Sequence, residues 1–106
     1  MAQTEVAEIV KEYVQAARKA GLPVFKAILF GSYAQNTAHE ESDIDVLIVS
    51  SAFDEANEAS VDLLWELRAI TDARIEPVAC GQAQWENDNH TWLLQVARDE
   101  GVVVGV

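Results

Sequence analysis

The chain has 106 residues, half of them apolar and 24% charged, with seven Lys and Arg against eighteen Asp and Glu. That length suits a single domain, residues 1–106, with a real core and no room for a second module. A formal charge of −11 suits a phosphate backbone poorly, because Lys and Arg are what neutralise phosphates; it argues against nucleic acid and for a small metal-bound nucleotide or a basic protein as partner. No stretch approaches the ~20 apolar residues of a membrane span, and no basic-then-apolar leader opens the chain. The expectation is a cytoplasmic protein with no membrane partner. The single Cys80 excludes an internal disulfide and a cysteine-based zinc site.

In chain order, Thr4 to Ala20 predicts an amphipathic helix. Val6, Ile9, Val10, Tyr13, Val14 and Ala17 recur at helical spacing, with Thr4 as the cap and Gly21 and Pro23 as the stop. Lys26 to Phe30 is an apolar run too short for a helix and closed by glycine, which predicts a buried strand. Gly31 lets the backbone turn sharply and approach a ligand. Ser32 beside it suits the N-cap of a short helix through Tyr33, Ala34 and Gln35, and a helix start is an anion site. A second strand begins at Asp43-Ile44-Asp45 and runs to Val49, β-branched and aliphatic as befits burial on both faces.

Ser50 to Asn57 is then a polar link, with Asp54 as the N-cap of a second helix reaching about Ile70. Ala59, Leu63, Leu67 and Ile70 can line its buried face, with Trp65 flanking. Thr71-Asp72 breaks it, and Arg74 to Cys80 predicts a third strand, placed at an edge or a bulge by Pro77, which has no backbone donor. Gly81 to Asn89 reads as a loop anchored by Trp85. A third helix spans Thr91 to Asp99 with Trp92, Leu93 and Val96 inward. Gly101 ends it, and Val102 to Val104 return as a short strand. The fold expected is α/β, a small mixed twisted sheet with helices packed against it.

Two aspartates at the head of a hydrophobic strand are the anomaly. Side chains alternate along a strand, so Asp43 and Asp45 share a face roughly 6.5–7 Å apart. Two such carboxylates repel unless a cation lies between them, and magnesium, which prefers carboxylate oxygens, is the natural occupant. The plainer reading is a pair of turn-forming or capping aspartates at a loop exit. Glu76, between Ile75 and Pro77, is a third acid in an apolar strand, either aimed at a polar site or facing water from an edge. Ser42 reads as a turn former supporting Asp43. His39 reads as a solvent-facing loop residue and His90 as a helix-start residue. Arg74 could reach phosphates, but pairing with surface acids is the preferred reading. Cys80 reads as a small buried hydrophobe, and the three tryptophans as core rather than a base-stacking platform.

Gly31-Ser32, ten residues, then Asp43-Ile44-Asp45, set between two apolar strands and followed by an acidic third, resembles the signature of the DNA polymerase beta-like nucleotidyltransferase superfamily. In so short a chain it is similar to the minimal nucleotidyltransferases. The resemblance implies magnesium held by Asp43, Asp45 and Glu76, and ATP or another nucleoside triphosphate as substrate, its phosphates held by Gly31 and Ser32 with Ser42 nearby. It also implies Glu76 as acceptor of the proton of the attacking hydroxyl, and a small helical partner of the HEPN type in a toxin–antitoxin pair. The chain departs from the family in three places: Glu76 stands where many relatives carry aspartate, Asn36 replaces a frequent glycine, and the loop from Ser32 to Ser42 holds no Lys or Arg. Two other functions stay open, a binding-only antitoxin that masks a basic partner and a regulatory module that binds nucleotide without turnover.

Overall fold

The computed structural model describes residues 3–34, 42–55, 58–88 and 91–104, with residues 3 and 4 as backbone only. Helix α1 (Gln3–Lys19) leads into β1 (Val24–Phe30), a single 3-10 turn (Gly31–Tyr33), and β2 (Ile44–Ser50). A second 3-10 turn (Ser51–Phe53) precedes α2 (Glu58–Leu67), β3 (Ile75–Gly81), α3 (Gln82–Asn87), α4 (Trp92–Glu100) and β4 (Val102–Val104). The sheet runs β3-β2-β1-β4. β1 is antiparallel to β2 and β4, while β2 and β3 are parallel and joined through α2. It is the mixed α/β sheet expected, with Pro77 on an edge strand where its missing donor costs least. Among the described residues no helix is long and apolar enough to cross a membrane.

Strand alternation divides the core in two. On one face Ile44, Val46 and Ile48 pack with Val6, Val10, Tyr13 and Val14 of α1 and Leu64 and Leu67 of α2. On the other, Leu47, Val49 and Cys80 meet Leu94 and Ala97 of α4, with Trp85 of α3 packed alongside. Tyr13 is wholly buried, and its hydroxyl donates to the Leu64 carbonyl at 2.5 Å, tying α1 to α2. Burial raises its pKa, so it stays a neutral donor. Tyr13→Phe would remove this bond between the two helices and is expected to cost about 1 kcal/mol in urea denaturation with an unchanged m-value.

Apart from α3, the elements lie where the periodicity put them, but several inward faces differ. In α2 the buried residues are Leu64 and Leu67, whereas Ala59 is exposed and Ile70 is 75% exposed beyond the helix end. In α4 Leu94 and Ala97 face the sheet, and Trp92, expected inward, is 75% exposed. Both segments carry adjacent apolar residues, so the sequence allows more than one stripe and sheet contact chooses between them. Trp65 is also largely exposed, at 43%, which leaves Trp85 as the one tryptophan that packs on the core, among the described residues. Ser50 closes β2 rather than opening a link. It is fully buried, donates to the Pro23 carbonyl at 2.6 Å and accepts from the Ala52 N–H.

The span from Gly81 to Asn87, expected as loop, is strand end and helix. Asp54, expected to cap α2, instead accepts the Ala83 N–H of α3 at 2.9 Å, so it caps a helix 29 residues on. The Thr4 cap, Asn36, His39 and His90 lie outside the described side chains.

Candidate functional site

The site grows from the start of β2. Asp45 is paired in register with Phe30 of β1 and Glu76 of β3. Residues directly opposite on adjacent strands point the same way, so Asp45 and Glu76 stand abreast on one face of the sheet. The helices on that face pack on Leu47, Val49, Val78 and Cys80. They leave Asp45 and Glu76 partly exposed, with Asp43 open to solvent just before the strand.

Gly31 completes the arrangement. Its φ of +73° is a conformation L side chains rarely adopt, and a Cβ built on it would clash with Oδ2 of Asp45. The glycine backbone therefore lies against the aspartate carboxylate, bringing together two motif halves that are ten residues apart in the sequence. The helix expected to follow Ser32 through Gln35 runs beyond the described residues. The turn is 3-10, its cap position is Phe30 in extended backbone, and no side chain bonds there. What fixes the turn is Tyr33, 3% exposed and part of the α1-side core. Ser42, partly buried, precedes Asp43.

The electrostatics follow from this crowding. Burial first, then the charges of Asp43 and Glu76, raise the Asp45 carboxyl above its usual range. Three acids thus act on one another where a cation would relieve them. Glu76 also has a cation of its own. Its Oε1 lies 3.4 Å from Arg68 Nη2, a contact that sequence reading missed because Arg68 looks like the polar tail of α2. Arg74 pairs with Asp72, Nη2 to Oδ2 at 2.6 Å and Nε to Oδ1 at 3.0 Å. That bond holds the Asp72 carboxyl below the usual range, as expected for a surface pair. Burial pushes the Cys80 thiol up, the behaviour of an inert core cysteine. Among the described residues no group of three or more His, Cys, Asp or Glu side chains is gathered to hold a metal ion. An open groove of about 780 Å³ between the end of α1 and Ile70-Thr71 lies apart, lined by none of the candidate residues.

A mixed sheet with a Gly-Ser turn set against acidic strand starts defines a nucleotidyltransferase core, and residues 5–79 match the nucleotidyltransferase domain family. The chain belongs to that family. Over 69 residues it is 41% identical to a protein of Methanocaldococcus jannaschii described as a candidate protein adenylyltransferase, covering 63% of this chain and 69% of that one. Its fold is similar to a candidate nucleotidyltransferase from Sulfolobus solfataricus, with a TM-score of 0.66 at 18% identity over 95% of this chain and 80% of the other. It is also similar to a chain in a toxin–antitoxin structure containing AMP-PNP, with a TM-score of 0.62 at 23% identity over 89% and 71%.

Proposed function

We propose that the protein transfers a nucleoside monophosphate, AMP from ATP, to a hydroxyl on a protein acceptor. The observation that carries this reading is the contact of the Gly31 backbone with Asp45 while Glu76 stands abreast of the same carboxylate. Asp43 and Asp45 would hold magnesium, which suits the donor set because that ion is commonly bound by one or two carboxylates plus substrate phosphates rather than by an all-protein cage. Once bound, the metal supplies charge stabilisation at the phosphates of the in-line displacement. Gly31, Ser32 and Ser42 would line the phosphate end of the nucleotide. Glu76 would take the proton of the attacking hydroxyl, the acceptor oxygen would bond to the α-phosphorus, and pyrophosphate would leave. The described activity of the Methanocaldococcus relative and the AMP-PNP in the toxin–antitoxin structure support this substrate. A small helical HEPN-type protein in the same cytoplasm is the proposed acceptor.

The charge of −11 supports a second reading, in which the chain neutralises a basic partner by binding alone. One assay separates the two. The protein, ATP labelled at the α-phosphate, magnesium and a HEPN-type helical protein of the class proposed as acceptor are incubated together, and that protein is analysed for an AMP adduct. The adduct should form and should fall by ~10³-fold or more in Asp43→Ala. Equal labelling in wild type and variant would rule the mechanism out, and no labelling with full neutralisation would establish the binding-only reading.

A further inference from the structure

Arg68 is fixed from several sides. Its Nη2 donates to the Ala73 carbonyl at 2.5 Å and lies 3.4 Å from Glu76 Oε1. Its guanidinium carbon is 4.8 Å from the centroid of the Trp65 ring, a stacking that restricts the plane of the group. The Nε atom is buried with no hydrogen-bond partner among the described residues, and the side chain is 25% exposed. Trp65 is one turn back on α2, and Ala73 lies just before β3, so the arginine spans the helix layer and the first residues of the edge strand. Leaving a buried donor without a partner costs free energy, and the arrangement is best explained if the cation's placement serves something other than its own hydrogen bonding. The acidic side chain it contacts, through Nη2, is Glu76.

We propose that Arg68 is the positioning residue for Glu76 in the transfer reaction, holding the carboxylate beside Asp45 and balancing one of the negative charges gathered there. The inference rests on the nucleotidyl-transfer reading. Arg68 touches neither nucleotide nor acceptor in this scheme and acts through Glu76. The long 3.4 Å contact orients the carboxylate while leaving its second oxygen for the acceptor proton. In the transfer step the acceptor O–H bond breaks, its proton goes to Glu76, the oxygen bonds to the α-phosphorus, and the bond from phosphorus to the bridging oxygen of pyrophosphate breaks.

The test uses the whole chain with Mg-ATP and glycerol as a generic hydroxyl acceptor, reading pyrophosphate release, and with Mn²⁺ plus a non-hydrolysable ATP analogue, reading metal affinity by electron paramagnetic resonance. Arg68→Gln should lower kcat about ten- to a hundredfold, the cost of a misplaced catalytic group. Manganese should bind it as tightly as wild type or more tightly, because a cation has been removed beside the carboxylates. Arg68→Lys should recover most of kcat. In a Glu76→Gln background, Arg68→Gln should add no further loss. A merely structural arginine would weaken turnover and metal affinity together and would lower kcat equally in both backgrounds, and that pattern overturns the proposal, as does an unchanged kcat. A wild-type protein that neither releases pyrophosphate nor binds the Mn²⁺–nucleotide complex overturns the transfer reading itself, an outcome distinct from active wild type with an indifferent Arg68.

Discussion

Asp45→Asn is expected to abolish nucleotide transfer, by ~10³-fold or more, and at the same time to raise the melting temperature of the metal-free protein. The two effects have one origin. Burial and the charges of Asp43 and Glu76 raise the Asp45 pKa above the unfolded value of 3.8. Between 3.8 and the higher folded value the native state binds more protons than the unfolded state, so stability falls as pH rises through that window. Above it the whole penalty persists, and at neutral pH ionised Asp45 works against folding. Asparagine keeps the shape and removes the charge. With each kcal/mol worth about 4–8 °C in a chain of this size, a gain of a few degrees is readily measured. Adding Mg-ATP should raise the wild-type melting temperature, because ligand bound to the native state alone stabilises it, and should leave Asp45→Asn unmoved. A metal-free variant that melts below wild type, or one that keeps its transfer activity, would remove Asp45 from the centre of the site.

Gly31→Ala is the second substitution with a large expected effect, and Gly21→Ala is its control. Both glycines have positive φ, +73° and +96°, so either alanine should cost about 1–2 kcal/mol in backbone strain. Around Gly21 nothing lies within 4 Å of a built Cβ, whereas at Gly31 the Cβ would collide with the Asp45 carboxylate. Gly21→Ala should therefore lose stability and keep activity. Gly31→Ala should lose more, roughly 2–4 kcal/mol by urea denaturation, and lose transfer at least a hundredfold even where it is fully folded, because a carboxylate displaced by about 1 Å is out of reach of its task. Equal destabilisation of the two variants with activity retained in both would show that the close approach at Gly31 has no role in the chemistry.

Both predictions turn on residues visible in the sequence, and the reason is physical. Gly31, Asp43, Asp45 and Glu76 each violate the local pattern: a glycine ending a strand, and acids in apolar runs. Such violations mark sites. Strand positions were equally plain, because short β-branched runs between turns admit few alternatives. The inward faces of α2 and α4 were not. Leu63, Leu64, Trp65 and Leu67, like Trp92, Leu93, Leu94, Val96 and Ala97, leave the stripe undetermined until the sheet selects it. Nor could sequence find Arg68 beside Glu76 or Asp54 capping α3, since those contacts join parts of the chain that only the crossover through α2 and the end of β3 bring together. That the turn begins as 3-10 at Gly31 was not legible either, because it goes with the burial of Tyr33 and no local pattern marks that residue as core.

The parallel pairing of β2 with β3 sets a ruler for the acids. Asp45 and Glu76 sit one strand spacing apart, about 4.8 Å between backbones, and that interval belongs to the ladder rather than to the connection between them. The crossover from Ser51 to Arg74 therefore sets what surrounds the Glu76 side chain, Arg68 included, but not the spacing of the two backbones that carry the acids. A change of length in that segment would alter the surroundings of the acids and leave their interval untouched.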